Sequence, residues 1–251
     1  VNGLSLQAVC KRFGGVTAAD EISFDVPSGR VTGLIGPNGA GKTTIVNLIT
    51  GMLALTSGQI LFNGQDITSA AADEISRLGF ARTFQNIRLF KEASVVDNLL
   101  IGFHKLQGSS LTSNILGLPS ARAETADIRA KALDLLQRFD MSRFANFPAG
   151  GLSYGHQRRV EMMRALAAMP SVLLLDEPVA GMNDVEAEEL GTIFREVAHS
   201  GIAVLLIEHN IRFVSDLCEQ IHVLDYGRVI ASGTPREVMS DSGVIAAYLG
   251  S

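Results

Sequence analysis

Residues 33–44 read GLIGPNGAGKTT. Gly36 to Thr43 fit the spacing G-x-x-x-x-G-K-T. The stretch follows a strand-like run and opens onto a helix-like one, KTTIVNLITGM, and that context makes such a spacing a phosphate-binding loop. Gly36, Gly39 and Gly41 permit backbone angles and a close approach that side chains block. Their amides, with the helix N-terminus behind them, take phosphate oxygens. Lys42 reaches the β- and γ-phosphates, and Thr43 offers its hydroxyl to Mg²⁺. Pro37, Asn38, Ala40 and Thr44 complete the expected nucleotide-contacting segment.

The rest of the chain supplies what such a loop needs. SVLLLDEP, residues 171–178, is an apolar run with a charged C-terminal end, as a buried parallel strand reads. Asp176 at that end is placed to hold Mg²⁺, directly or through water. Glu177 follows immediately, so its carboxylate diverges and is free to polarise a water in line with the γ-phosphate. IAVLLIEHN is a second buried-strand run. GQILFNGQDI carries a hairpin signal at Asn63-Gly64, and IHVLDYGRVIASG reads as a closing hairpin. Strands alternating with helices imply an α/β core with a parallel sheet, where ligands sit beyond the carboxyl ends of strands. Asp176, Glu177 and His209 lie at such ends.

A mostly helical stretch from about residue 95 to 164 interrupts the alternation and reads as a separate lobe. Within it, 104–122 mixes Gly, Ser, Thr, Asn and Pro as a surface insertion does. From 123 to 140 the pattern is helical, with Ile128, Ala132, Leu135, Leu136 and Phe139 on one face.

At 251 residues, 47% hydrophobic and 19% charged, the chain can bury a full core. A net charge of −5 argues against nucleic acid as the main partner. Cys10 and Cys218 form no disulfide framework and no metal-spaced set, and read as reduced thiols. No apolar run approaches a membrane span and the N-terminus lacks a signal-peptide pattern. The expectation is a soluble chain whose membrane role needs partners.

Three more stretches narrow the class: LSYGHQRR at 152–159, TFQN at 83–86 and LLIEHN at 205–210. With the phosphate loop, in this order, they resemble the ATP-binding cassette (ABC) ATPase family over nearly the whole chain. The resemblance implies an α/β P-loop NTPase of ABC type. Its mixed-sheet core carries a helical subdomain and an N-terminal antiparallel β subdomain. All belong to a single domain: 1–94 and 165–251 form a RecA-like core with the β subdomain, and about 95–164 the helical subdomain.

The family pattern assigns further roles. ATP and Mg²⁺ are the implied cofactors. Phe13 resembles the aromatic that stacks on adenine, with Val16 flanking the base. Gln85 resembles the glutamine that touches Mg²⁺ and the attacking water. His209 resembles the histidine that contacts the γ-phosphate and orients that water. Ser153 and Gly155 belong to the signature, whose helix start faces ATP held by a second cassette, in a homodimer or heterodimer. On that reading the helix end pairs with the partner's ATP rather than with a cap of its own.

The signature departs from the family's L-S-G-G-Q at Tyr154 and His156. The tyrosine, followed by QRR, is similar to the ATPase subunits of branched-chain amino acid importers. So are EPVAGMND, where Asn183 replaces an aspartate, KRFGG, EHN and the final AAYLG. His156 reads as a solvated side chain leaving the helix. The closer likeness implies two transmembrane permease subunits, indirectly a periplasmic binding protein, and a peripheral place on the cytoplasmic face of the inner membrane. A urea or amide importer, a lipid or lipopolysaccharide exporter and a soluble ABC ATPase stay open as alternatives. A small-molecule P-loop kinase leaves LSYGHQRR unexplained.

Overall fold

The computed structural model describes residues 2–83, 87–103 and 119–249, with side chains for 2–83, 87–103 and 123–248. The chain divides into two compact units: Val1–Arg82 with Ser171–Ser251, and Thr83–Pro170.

The strands among the described residues, all in the first unit, are β1 (Gly3–Phe13), β2 (Val16–Pro27), β3 (Val31–Ile35), β4 (Ser57–Phe62), β5 (Gln65–Asp66), β6 (Phe80–Arg82), β7 (Val172–Asp176), β8 (Ala203–Ile207), β9 (Gln220–Asp225) and β10 (Arg228–Gly233). They build two sheets, in the orders β2-β1-β4-β5 and β10-β9-β3-β8-β7-β6. The first sheet is antiparallel throughout. In β2, Ile22, Phe24 and Val26 are buried while Glu21, Ser23 and Asp25 are exposed, the period of a strand with one face on a core. Asn63 and Gly64 both take positive φ, 50° and 81°, which fits the tight turn their sequence announces between β4 and β5.

In the second sheet β6, β7, β8, β3 and β9 are mutually parallel, and β10 adds an antiparallel edge. Every residue of β3, β7 and β8 is buried. Parallel strands covered on both faces need no polar alternation, which is why these segments read as continuous apolar runs. The mixed-sheet core with an N-terminal antiparallel sheet is the fold that the family likeness implied. Strand β6 is new relative to the sequence reading. At three residues it is too short for any periodic signal, and only its pairing with β7 defines it.

The second unit, described by itself, is helical. Ile128, Ala132, Leu135, Leu136 and Phe139 are all buried, as their spacing predicts. The helix begins earlier than the sequence pattern, at Pro119, and ends two residues sooner, at Arg138, so that Phe139 lies in the turn just beyond it. Proline is well suited to a first helical turn, where its missing N–H costs nothing. Residues 104–118 of the expected insertion lie outside the described residues.

One buried histidine gives the core a pH dependence. His222 in β9 is 6% exposed, stacks on Phe24 at 4.8 Å and bonds Ser232 Oγ through Nδ1 at 2.8 Å. Burial pushes its pKa down from 6.5 to about 4, against an opposing pull from Asp25. The unfolded chain therefore takes up the proton first. Stability is full above pH 6.5 and falls as pH drops towards 4, with about 2 kcal/mol lost by pH 5. Urea unfolding at pH 7.5 and 5 checks this, and His222→Gln should flatten the difference.

Candidate active site

The phosphate loop joins β3 to the helix Lys42–Ile49. Gly36 has φ +150°, and a Cβ there would stand 2.1 Å from the Leu224 carbonyl oxygen, so only glycine fits. Gly41, at φ +106°, caps the helix without any side-chain oxygen. The first amides of this helix thus have no side-chain cap, as an anion-binding helix start requires. Lys42 Nζ donates to the Gly36 and Pro37 carbonyls at 2.6 and 3.0 Å, which folds the ammonium back over the loop. Burial lowers its pKa, and the Glu177 and Asp176 carboxylates oppose that. Lys42 therefore sits in the field of both acids.

Those acids leave the end of β7. Asp176, 7% exposed, is the last residue of the strand and lies opposite Ile207, the last of β8. The Arg82 guanidinium holds its Oδ2 at 3.1 Å and donates to Asn47 Oδ1 at 2.6 Å. Glu177 takes a left-handed φ of 49°, and its N–H donates to the Ile207 carbonyl at 2.9 Å. That turn brings it beside the loop leaving β8, where His209 Nδ1 lies 3.7 Å from Glu177 Oε1. Strand pairing thus joins two residues distant in sequence at the carboxyl edge of the sheet, the place where α/β sheets bind ligands.

Phe13 and Val16 face each other across the β1–β2 hairpin, 47% and 66% exposed. An accessible ring suits base stacking, although Lys11 Nζ already lies 5.0 Å from its centroid. Thr43 and Asp176 are hard oxygen donors of the type Mg²⁺ takes, and the described residues contain no group of three or more His, Cys, Asp or Glu able to hold a metal by themselves. That donor set fits an ion completed by phosphate oxygens and water. Gln85 lies outside the described residues.

In the second unit Ser153 and Gly155 open the helix Tyr154–Ala167. The expectation of a helix end without its own cap is corrected here. Ser153 Oγ accepts from the His156 amide at 3.4 Å, because a serine before a helix satisfies one of its orphan amides when it can. His156 does not leave the helix either. Its Nδ1 lies 2.9 Å from Ser153 Oγ and its ring packs on Phe144 at 4.6 Å. Tyr154 lies under the guanidinium of Arg158, itself buried and paired with Glu161 at 2.9 Å. Asn183, in the first unit, caps the helix Asp184–His199 through the Glu186 amide at 3.0 Å, which gives its amide oxygen a structural use.

Sequence reasoning missed Arg82 and Glu208. Arg82 adjoins the quoted TFQN and Glu208 lies within the quoted LLIEHN, but a lone arginine or glutamate carries no signal until strand pairing shows what it touches.

A glycine-rich loop with its lysine folded over it, an acid pair at one strand end and a histidine at the next fit a P-loop nucleotide-binding fold of the cassette type. The sequence profile described as ABC transporter matches residues 19–180, and that described as branched-chain amino acid ATP-binding cassette transporter matches 228–251. The chain is 38% identical over 248 residues to the high-affinity branched-chain amino acid transport ATP-binding protein LivG of Escherichia coli strain K12, covering 98% of this chain and 97% of that protein. It is 33% identical to the lipopolysaccharide export system ATP-binding protein LptB of Haemophilus influenzae, covering 98% and 97%. A solved nucleotide-free ATP-binding cassette from an ABC transporter superposes with a TM-score of 0.86 at 33% identity, over 100% of both chains. The chain belongs to the ABC transporter ATP-binding proteins, in the branched-chain amino acid transport group. No helix among the described residues is long and apolar enough to cross a membrane.

Proposed function

We propose that this protein is the ATP-hydrolysing subunit of an importer for branched-chain or other hydrophobic amino acids, catalysing ATP + H₂O → ADP + phosphate. The convergence of Lys42, Glu177 and His209 at the ends of β3, β7 and β8 carries the hydrolytic reading. The match of residues 228–251 to the branched-chain profile supports the substrate class.

Phosphoryl transfer asks for positioning and charge neutralisation. The loop amides of Gly36–Thr44 and the Lys42 ammonium bind the triphosphate, and Phe13 with Val16 receives the base. Glu177 places the water in line and takes its proton. His209, 3.7 Å away, orients water and γ-phosphate. Thr43 and Asp176, with Gln85, are the proposed ligands of Mg²⁺, whose contribution is to neutralise phosphate charge. Ser153 and Gly155 of a second cassette complete the γ-phosphate site, so that ATP joins the pair and its hydrolysis releases it. For Ser153 this means exchanging its own helix amide for a phosphate oxygen. The helical subdomain, about 95–164, relays that closure to two permease subunits at the cytoplasmic face of the membrane, and a periplasmic binding protein delivers the substrate.

The complex reconstituted with both permeases and the binding protein in vesicles is the test. Leucine, isoleucine or valine should stimulate ATP hydrolysis several-fold and accumulate at the expense of ATP. Stimulation by urea, an amide or lipopolysaccharide in their place overturns the substrate assignment.

A further inference from the structure

Beyond β8 stands a carboxylate that the reaction above does not use. Glu208 is 1% exposed. A buried carboxylate is costly unless its oxygens are hydrogen-bonded, so the identity of its donors matters. Oε1 accepts from the Val179 N–H at 3.2 Å, and Val179 lies on the loop that leaves Glu177. Oε2 accepts from the His209 N–H at 3.1 Å and more weakly from Asn210 N–H at 3.5 Å. One side chain therefore spans two loops that the sheet places side by side. Its Oε2 also lies 3.8 Å from His209 Nδ1, the same nitrogen that lies 3.7 Å from Glu177 Oε1.

Resting on the hydrolytic reading above, we infer that Glu208 is a positioning residue that ties the Glu177 loop to the His209 turn and holds the water-placing carboxylate and the imidazole in one register. A carboxylate is required because both oxygens must accept. Glutamine offers one accepting oxygen and would turn an NH₂ group towards an N–H. Aspartate keeps two acceptors but lacks the length to reach both loops. Neither change touches the phosphate loop, so nucleotide affinity and hydrolysis should separate.

Glu208→Gln and Glu208→Asp are compared with the parent full chain for thermal midpoint, affinity for ATP and kcat. The expected result is a midpoint within a few degrees, an affinity unchanged within about threefold, and a kcat lowered roughly 10- to 100-fold, the scale of a catalytic group misplaced by about an ångström. In the Glu177→Gln background, single-turnover hydrolysis should fall no further when Glu208→Gln is added, because residues acting as one unit are not additive. A parental kcat in both folded variants overturns the inference, as does an equal loss of kcat and ATP affinity, or full additivity with Glu177→Gln. If one variant fails to fold, the other decides. Should Glu177→Gln itself hydrolyse at the parental rate, the reading of the whole site fails. If only the Glu208 variants behave as parent, the positioning role alone fails.

Discussion

Glu177→Gln should keep ATP binding and lose hydrolysis by about 10³-fold, within the range that general-base catalysis supplies. The amide matches the carboxylate in shape, so the left-handed turn at φ 49° and the N–H bond to Ile207 persist. What should disappear is the group proposed to take the proton of the attacking water. A 10³-fold loss corresponds to about 4 kcal/mol of transition-state stabilisation. Lys42 and the loop amides are untouched, so the affinity for ATP should stay within a few-fold. The retained γ-phosphate should also favour paired cassettes, visible as a doubled mass in light scattering with ATP and Mg²⁺. Phosphate release at the parental rate would remove Glu177 from the chemistry.

Lys42→Ala acts at the opposite step: affinity for ATP should weaken about 10²-fold, and hydrolysis should fall through binding. Charge-assisted hydrogen bonds contribute roughly 1.5–3 kcal/mol each, which at the upper end is two decades of affinity. Geometry increases the effect. The ammonium is held over the loop by the Gly36 and Pro37 carbonyls, and it stands in the field of Glu177 and Asp176. Without it, two carboxylates face a triphosphate. Lys42→Arg should rescue little, because a planar fork does not replace a compact cation between two carbonyls. Titration with a fluorescent ATP analogue measures the loss. Parental affinity in Lys42→Ala would show that the loop amides alone hold the phosphates. The two variants separate the roles: one lowers kcat at constant affinity, the other lowers affinity first.

Much of the candidate site is legible in the chain because its proposed chemistry is local. The loop Gly36–Thr44 needs glycines at fixed offsets before a helix, and the requirement is written in consecutive residues. The buried faces of β3, β7 and β8, and the stripe from Ile128 to Phe139, follow from apolar spacing alone. The roles proposed for Phe13, Ser153 and His209 rest on family likeness rather than on pattern, since an isolated aromatic, serine or histidine has several ordinary uses.

What only the tertiary structure decided are relations between segments far apart in sequence. That Glu177 meets His209 depends on β7 lying beside β8 in the register Asp176 to Ile207. That Arg82 neutralises Asp176 depends on a three-residue strand defined solely by its neighbour. Glu208 bridges two loops for the same kind of reason. Residue order sets which groups each segment can offer. Hydrogen-bond register between parallel strands is a long-range choice made by the packed core, and it determines which of those groups stand within bonding distance.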